Sequence, residues 1–315
     1  MMGAIDPLVG QELMIGAIEP LVALVRDGDA QGKAYAAGAL RNLADGDDAI
    51  IAAIVAAGAI EPLVALVRDG DAQGKADAAG ALRNLAAGDA AIIAAIVAAG
   101  AIEPLVALVR DGDAQGKAYA AGALAILADV DDAFKASIVA AGVIEPLVAL
   151  VRDGNAEGKA NAAGALGSLS LMAIGDDAII AAIAAAGAIE PLVALVRDGN
   201  AVGKANAAWA LRNLMAVGDA AIKAAITVAG AIKALVALIR DGDAQGKANA
   251  AGALQQLAVG DDANKAAIAA AGAIEPLVAL VRDGDAQGKV KAASALENLA
   301  VGNDAIKAAI ATAFN

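Results

Sequence analysis

The sequence contains no cysteine and no histidine among its 315 residues. These two absences exclude disulfide scaffolds, cysteine nucleophiles, Cys/His zinc sites and catalytic triads that need imidazole. Aromatic side chains are also scarce at 2% of the chain. Nucleic-acid binding needs cationic surface and stacking faces, whereas this chain has 23 basic and 36 acidic residues and a net charge of −13. We therefore expect no nucleic-acid partner.

Long apolar runs are missing as well, although hydrophobic residues make up 60% of the chain and its mean hydropathy is +0.65. A membrane-spanning helix needs about 20 consecutive apolar residues. The longest uncharged run, 160–175, contains Asn161, Ser168 and Ser170. The N-terminus lacks the basic region followed by an apolar stretch that marks a signal peptide. We expect a soluble, cytoplasmic protein with no membrane span, and nothing in the composition predicts a cofactor or a metal site.

A 13-residue string, GAIEPLVALVRDG, recurs along the chain. Verbatim copies start at Gly16, Gly58, Gly100, Gly187 and Gly272, and edited copies start at Gly142 and Gly230. Successive starts are separated by 42, 42, 42, 45, 43 and 42 residues. A period of this length is typical of helical solenoids, in which each repeat buries its apolar face against its neighbours. The spacing therefore predicts seven stacked repeats.

Residues 47–86 illustrate how one period predicts its first helix. Asp47 or Asp48 can accept hydrogen bonds from the first-turn backbone and begin a helix that runs to Ala57. Gly58 follows, at a position where a positive φ angle ends a helix at little cost. We therefore expect a short helix and then a sharp change of direction at this glycine.

The rest of the period predicts two further helices. The second begins near Ala59 with Glu61 and Pro62 in its first turn, where a carboxylate meets the positive end of the helix dipole and proline lacks a donor that would be unpaired anyway. Asp71 can cap the third and longest helix, which runs to about Ala86. The acidic turn before it partly resembles calcium-binding and phosphate-binding loops, but helix capping explains its residues better, because the terminal glutamate and the Lys-Ser/Thr pair of those loops are missing.

Two strings resemble the armadillo repeat family: Gly-Ala-Ile-x-Pro-Leu-Val-x-Leu-Val in the second helix and Ala-Leu-x-Asn-Leu-Ala at the end of the third. In style they are closest to plant U-box and vacuolar armadillo proteins. The resemblance covers essentially the whole chain and implies an all-α, right-handed α-solenoid of seven armadillo repeats with three helices each. It implies an N-terminal cap over 1–15, repeats over 16–300 and a C-terminal cap helix over 301–315. Five verbatim copies leave recent duplication and consensus-style engineering both open.

The resemblance implies a scaffold without enzymatic activity that holds an extended peptide along a concave groove lined by the third helices. An asparagine near the end of each third helix, at what we call the ladder position, can bond a peptide backbone because its amide both donates and accepts. The predicted peptide-binding residues lie at this position and one, four and seven residues before it. They are Asn42, Asn84, Asn213, Gln256, Asn298 and Ile126 at the ladder position, Arg41, Arg83 and Arg212 one before, Trp209 four before, and Tyr35 and Tyr119 seven before.

The same positions vary between repeats while the core positions recur, and they share one face of the third helix. We therefore expect this stripe to be exposed. Four residues before the ladder position, five repeats carry glycine, which indicates either close backbone approach or simple inheritance by duplication. The fifth repeat alone has a tryptophan at this position, Trp209, four residues before Asn213. Because the other repeats lack this tryptophan, the pattern argues against a groove for nuclear-import cargo.

Repeats 3 and 4 interrupt the ladder with Ala125–Ile126 and Gly167–Ser168. Ile126 and Tyr119 lie on the same helical face, so we expect a small apolar patch that receives an apolar side chain of the peptide or a second copy of the chain. The alternative is that the repeats are degenerate here without a role. At the level of the whole chain, the alternative to a peptide-binding scaffold is a structural or engineered solenoid with no dedicated ligand.

Overall fold

The computed structural model of the protein describes residues 7–171 and 177–314, and all 21 regular elements in these ranges are α-helices. The chain forms two compact units that divide between Pro146 and Leu147. The first unit contains α1 (Pro7–Asp27), α2 (Ala30–Leu43), α3 (Asp48–Ala56), α4 (Ile60–Asp69), α5 (Ala72–Leu85), α6 (Ala90–Ala98), α7 (Ile102–Asp111), α8 (Ala114–Val130), α9 (Asp132–Ala140) and the start of α10 (Ile144–Asp153).

The second unit contains the rest of α10 and the helices that follow it. These are α11 (Ala156–Ser170), α12 (Asp177–Ala185), α13 (Ile189–Asp198), α14 (Ala201–Val217), α15 (Ala220–Val228), α16 (Ala231–Asp241), α17 (Ala244–Ala258), α18 (Asp262–Ala270), α19 (Ile274–Asp283), α20 (Ala286–Ala300) and α21 (Asp304–Phe314). The predicted sequence of two short helices and one longer helix per repeat is confirmed from α3 onward.

The helix boundaries follow the local signals in the sequence. Asp47 Oδ1 accepts hydrogen bonds from the backbone N–H groups of Ala49 and Ile50 at 2.9 and 3.1 Å, which begins α3. Gly58 has a φ of +73°, as expected for the residue that ends a helix in the left-handed region. Asp71 Oδ1 accepts from Gly74 N at 2.7 Å and begins α5, so the acidic turn serves as a helix cap.

The first repeat differs at the point where later repeats bend. Gly16 lies inside α1, which continues without interruption from Pro7 to Asp27 with Pro20 in its interior. In the equivalent place of the later repeats, the first and second helices meet at angles of 70–80°. The predicted division between a cap over 1–15 and the first repeat therefore falls within one helix. Residues 1–6 of the predicted cap lie outside the described residues.

The third helices pack directly against one another within each unit. In the first unit α2 packs on α5 and α5 on α8, and in the second unit α11, α14, α17 and α20 form the same succession. Alanine lines these contacts: Ala78, Ala79 and Ala81 of α5 are at most 1% exposed, and their small side chains allow close approach. Leu63, Leu82 and other fully buried leucines complete the apolar core. Within each unit, therefore, the third helices place equivalent positions of neighbouring repeats beside each other.

Membrane crossing can be judged from helix length and composition. Within 7–171 and 177–314, no single helix is both long and apolar enough to cross a membrane. Six pairs of consecutive first and second helices reach the length and apolar composition of a membrane span only when the two helices, which are bent relative to each other, are counted together.

Candidate functional site

The predicted site residues lie in the contact zone between third helices, which we call the third-helix seam. It comprises the ladder position and the positions one, four and seven residues before it. The expectation that this stripe is exposed is wrong for several members: Asp77, Asn249, Asn213 and Ser168 are only 3–5% exposed. They are buried because each third helix packs against the next one in its unit. The variation along the stripe therefore reflects contacts between repeats as well as exposed surface.

An ion pair joins the first two repeats in this seam. Arg41 Nη1 lies 2.6 Å from Asp77 Oδ1, and the Asp77 side chain is only 6% exposed. The second carboxylate oxygen of Asp77 accepts a hydrogen bond from Gln73 Nε2 at 2.6 Å. A buried carboxylate with partners on both oxygens is well compensated for the loss of water. The positive charge of Arg41 thus has its counter-charge inside the protein.

Tyr119 of the third repeat contacts two arginines of the preceding repeats. The guanidinium carbons of Arg41 and Arg83 are 5.3 and 5.6 Å from the centre of its ring, within the range of cation–π attraction. Arg41 Nη1 also donates to the Tyr119 hydroxyl at 3.4 Å. The expected apolar patch around Tyr119 and Ile126 is therefore wrong as far as Tyr119 is concerned, because cationic side chains cover its ring. Ile126 itself is half-buried.

Two of the ladder asparagines bond the preceding repeat. Asn84 Nδ2 donates to the carbonyl oxygen of Arg41 at 2.9 Å, and Asn213 Nδ2 donates to that of Gly167 at 3.1 Å. Both carbonyls belong to the last turn of a third helix, where the backbone acceptors have no partner within the helix. These asparagines therefore cap the C-terminus of the neighbouring third helix. Their predicted role in peptide binding stays a prediction.

Two asparagines seven residues before the ladder position also bond the preceding repeat, a contact that the sequence did not reveal. Asn206 Nδ2 donates to Ala160 O at 2.9 Å, and Asn249 Nδ2 donates to Ala205 O at 3.0 Å. Gln245 Nε2 in turn donates to Asn249 Oδ1 at 3.3 Å. The signal was present as asparagine recurring at this position, but its partner became identifiable only once the repeats were stacked.

The glycines four residues before the ladder position permit close contact between repeats. A Cβ atom placed on Gly80 would lie 2.6 Å from Arg41 Cδ and 3.0 Å from Tyr119 Cδ2. A Cβ atom on Gly252 would lie 2.8 Å from Arg212 Cδ. The distances of 2.6 and 2.8 Å to the arginine Cδ atoms are too short for nonbonded carbon atoms. Of the two explanations for these glycines, close approach therefore holds at both positions, although the neighbour approaches with a side chain and not with its backbone.

Trp209 occupies the corresponding position of the fifth repeat, where it contacts the fourth. A Cβ atom on Gly167 would lie 2.4 Å from Trp209 Cε3, so the indole ring covers the place where other repeats carry an arginine side chain. Trp209 is half-buried. The ring thus fills a gap in the seam, and its predicted contact with a peptide stays a prediction.

The other predicted site residues differ in exposure. Asn42 is exposed and accepts hydrogen bonds from Arg41 Nε and Nη2 at 3.4 and 3.3 Å. Tyr35 is 67% exposed and its hydroxyl accepts from Gln31 at 3.3 Å. Gln256 and Asn298 are half-buried. Arg212 is half-buried beside Asn213, and burial lowers its pKa below the ordinary value of an arginine.

Seven consecutive segments match the model of the armadillo/beta-catenin-like repeat: 12–45, 47–87, 89–129, 131–171, 176–216, 219–259 and 261–301. Together they cover most of the sequence. The chain belongs to the armadillo repeat family. Its fold is therefore the armadillo solenoid that the resemblance implied.

Solved structures similar to this armadillo chain include engineered proteins. An engineered protein of the Northeast Structural Genomics Consortium has 35% sequence identity and a TM-score of 0.80, over 99% of this chain and 80% of that one. A designed armadillo repeat protein has 30% identity and a TM-score of 0.67, over 76% and 99% of the two chains. Another, in complex with the peptide (KR)4, has 29% identity and a TM-score of 0.64 over the same shares. None of the curated proteins compared matches the sequence.

Proposed function

We propose that this armadillo chain is a peptide-binding scaffold that holds an extended peptide along the face formed by its third helices. The observation that carries the proposal is the alignment of equivalent polar positions across neighbouring repeats. In the first unit, Arg41 of the first repeat bonds both Asp77 of the second repeat and Tyr119 of the third. An extended peptide needs such a series of similar sites, because it presents side chains to one surface at regular intervals.

The comparison with designed relatives supports the same function. One designed armadillo repeat protein was solved with the peptide (KR)4, so peptide binding is compatible with this architecture at 29% identity. Exposed seam residues offer contacts for a peptide in this chain as well. Asn42 is exposed, Tyr35 is 67% exposed, and Asn84, Gln256 and Asn298 are half-buried. An asparagine amide has two N–H donors, so Asn84 keeps a second donor in addition to the one that bonds Arg41 O.

A second candidate function is a structural solenoid without a dedicated ligand. The observation in its favour is that the amides of Asn84, Asn213, Asn206 and Asn249 all bond backbone carbonyls of a neighbouring repeat. In this alternative the polar seam exists to fix the stacking of repeats. Both candidates agree on the fold and differ in whether any peptide is recognised.

A peptide-library selection on the purified protein distinguishes the two candidates. The scaffold is supported if selected sequences share a register and bind with micromolar or tighter affinity in about 0.15 M salt, where nonspecific attraction to exposed charges is largely screened. Variants at exposed seam residues, Tyr35→Ala and Asn42→Ala, should weaken the selected peptides, whereas Lys289→Gln on the exposed surface of α20 should not. A library that yields no enriched sequence supports the structural solenoid.

A further inference from the structure

Two cationic side chains converge on Gly252 in the second unit. A Cβ atom on Gly252 would lie 2.8 Å from Arg212 Cδ and 3.6 Å from Lys291 Cδ. Arg212 comes from α14 and Lys291 from α20, so the two stems approach each other across α17, which carries the glycine. Both residues are half-buried. The absence of a side chain at Gly252 is what allows the two stems to come so close.

No counter-charge accompanies this pair. Among the described residues, no carboxylate lies within 4.0 Å of the Arg212 guanidinium or the Lys291 ammonium group. The guanidinium of Arg212 donates only long bonds, of 3.4 and 3.3 Å, to Asn213 Oδ1. Burial lowers the pKa of Arg212, the direction expected when a cation loses water without gaining an anion. The stems of two cations thus meet beside Gly252, and an anion that contacted both cations would offset their like charge.

The first unit shows the same arrangement with a carboxylate paired to its arginine. There Arg41 and Tyr119 converge on Gly80 as Arg212 and Lys291 converge on Gly252. Asp77, which neutralises Arg41 at 2.6 Å, occupies the position seven residues before the ladder in the intervening repeat. In the second unit this position holds Asn249, a neutral residue of nearly the same shape. The internal carboxylate is thus missing and a second cation replaces the tyrosine.

We propose that Arg212 and Lys291, converging over Gly252, form an acid-binding site that accepts a glutamate or aspartate side chain of an extended peptide. The site rests on the proposed peptide-binding function and specifies its ligand as acidic at this point. The planar guanidinium matches a carboxylate with two parallel hydrogen bonds, and the ammonium group supplies a further charged donor. The proposed ligand is opposite in charge to (KR)4, the peptide with which one designed relative was solved.

The affinities of three octapeptides, (ET)4, (QT)4 and (KR)4, test this site when measured by fluorescence anisotropy in about 0.15 M salt. We expect (ET)4 to bind about tenfold more tightly than (QT)4, the ratio expected for one charge-assisted contact. Arg212→Gln and Lys291→Gln should each remove most of this preference. Arg240→Gln, at an exposed arginine of α16, changes the net charge equally and should leave the preference intact.

Asn249→Asp provides a second test that removes no cation. It restores the carboxylate found at Asp77, and Gln245 is already placed to donate to it, as Gln73 donates to Asp77. The new carboxylate should pair with Arg212 and exclude the acidic side chain of the peptide, so the preference for (ET)4 over (QT)4 should fall several-fold. Circular dichroism confirms that each variant keeps the helicity of the parent chain.

The remaining outcomes overturn the proposal in distinguishable ways. Equal binding of (ET)4 and (QT)4 overturns the acid-binding site and leaves the peptide scaffold standing. Tighter binding of (KR)4 that survives physiological salt, or an equal loss of affinity for (ET)4 in Arg240→Gln and Arg212→Gln, also overturns the site alone. If none of the three peptides binds, both the site and the proposed function are wrong.

Discussion

Trp209 lies against Gly167 so closely that a methyl group on the glycine would be 2.4 Å from the Cε3 atom of the indole. Trp209 lies four residues before the ladder position of the fifth repeat, and Gly167 lies one residue before the ladder position of the fourth. Elsewhere the sizes are reversed: Arg41 lies over Gly80, and Arg212 lies over Gly252. Each of these three contacts thus pairs one large side chain with one glycine.

Gly167→Ala should therefore be destabilising although alanine is the better helix former. Helix propensity favours alanine by about 1 kcal/mol, but the new methyl group must displace the rigid indole or separate two helices, which costs about 1–3 kcal/mol. We expect a net loss of stability in urea-induced unfolding. The matched control is Gly16→Ala in the interior of α1, where an added Cβ meets nothing within 4 Å and stability should rise by about 1 kcal/mol.

The double variant Gly167→Ala/Trp209→Ala tests whether the clash with the indole is the cause. Removing the indole makes room for the methyl group, so Gly167→Ala should cost less in the Trp209→Ala background than in the parent chain. A coupling energy of about 1 kcal/mol or more is expected for residues in contact. Strict additivity of the two substitutions would show that the glycine is required for another reason.

Much of the fold could be predicted because its signals are local. Asp71 is three residues from the N–H group that it caps, and Gly58 adopts its positive φ within a single residue. The seam contacts could not be predicted in this way. Arg41 pairs with Asp77 36 residues away and bonds Tyr119 78 residues away, and these partners meet only when the third helices stack. The sequence therefore identified a variable stripe on one face of the third helix but not how much of it the stacking buries.

Asn84→Ala should weaken the contact between the first two repeats. The variant removes the donor to Arg41 O and leaves a partly buried carbonyl without that partner, which costs about 1–2 kcal/mol. Amide hydrogen exchange should accelerate at the end of α2. Asn42→Ala serves as the control, because Asn42 is exposed and only accepts long bonds from Arg41, and it should change stability by less than about 0.5 kcal/mol. Equal effects of the two variants would contradict the capping role.

Leu82→Ala should destabilise the second repeat and loosen its neighbours. Leu82 is 1% exposed, so its removal leaves a cavity that costs about 2–5 kcal/mol. Because solenoid stability is a sum of terms between adjacent repeats, hydrogen exchange should increase in α5 first and then in α2 and α8. Leu24→Ala, at a leucine that is 41% exposed, should have a clearly smaller effect. Uniform exchange throughout the first unit in Leu82→Ala would argue against this local coupling.

Asp304 at the start of α21 should titrate at lower pH than an ordinary aspartate. The hydrogen bond from Lys307 Nζ at 2.9 Å, together with the lysine charge, lowers the pKa of Asp304 below its ordinary value of 3.8. A lowered pKa in the folded state means that the contribution to stability is present above pH 3.8 and is lost as the pH falls through the folded pKa. The side chain is exposed, so salt should weaken the effect.

An NMR titration of the Asp304 carboxyl group in the parent chain and in Lys307→Gln measures this directly. The pKa should rise toward 3.8 in Lys307→Gln and stay low in Lys289→Gln, which removes an equal charge from the neighbouring helix α20. An unchanged pKa in Lys307→Gln would assign the lowering to a group other than Lys307.

Ile126→Asn should restore the ladder in the third repeat. Ile126 is half-buried and lies at the ladder position, as Asn84 does one repeat earlier. Arg83 lies in the repeat before Ile126 at the same position that Arg41 has in the repeat before Asn84. An asparagine at 126 should therefore donate to the carbonyl of Arg83, as Asn84 donates to that of Arg41 at 2.9 Å. The gain of about 1 kcal/mol from this bond opposes the loss of the isoleucine's apolar contacts.

Ile126→Ala separates these two effects, because it removes the same apolar contacts without supplying an amide. We expect Ile126→Asn to be more stable than Ile126→Ala by about 1 kcal/mol in urea-induced unfolding, at equal helicity. If a peptide places an apolar side chain over Ile126, both variants should bind that peptide more weakly. If a second copy of the chain packs there, both variants should show less self-association in sedimentation. Equal stability of the two variants would show that the ladder bond does not form at this repeat, because the amide of asparagine would then add nothing to the Cβ atom that both variants share.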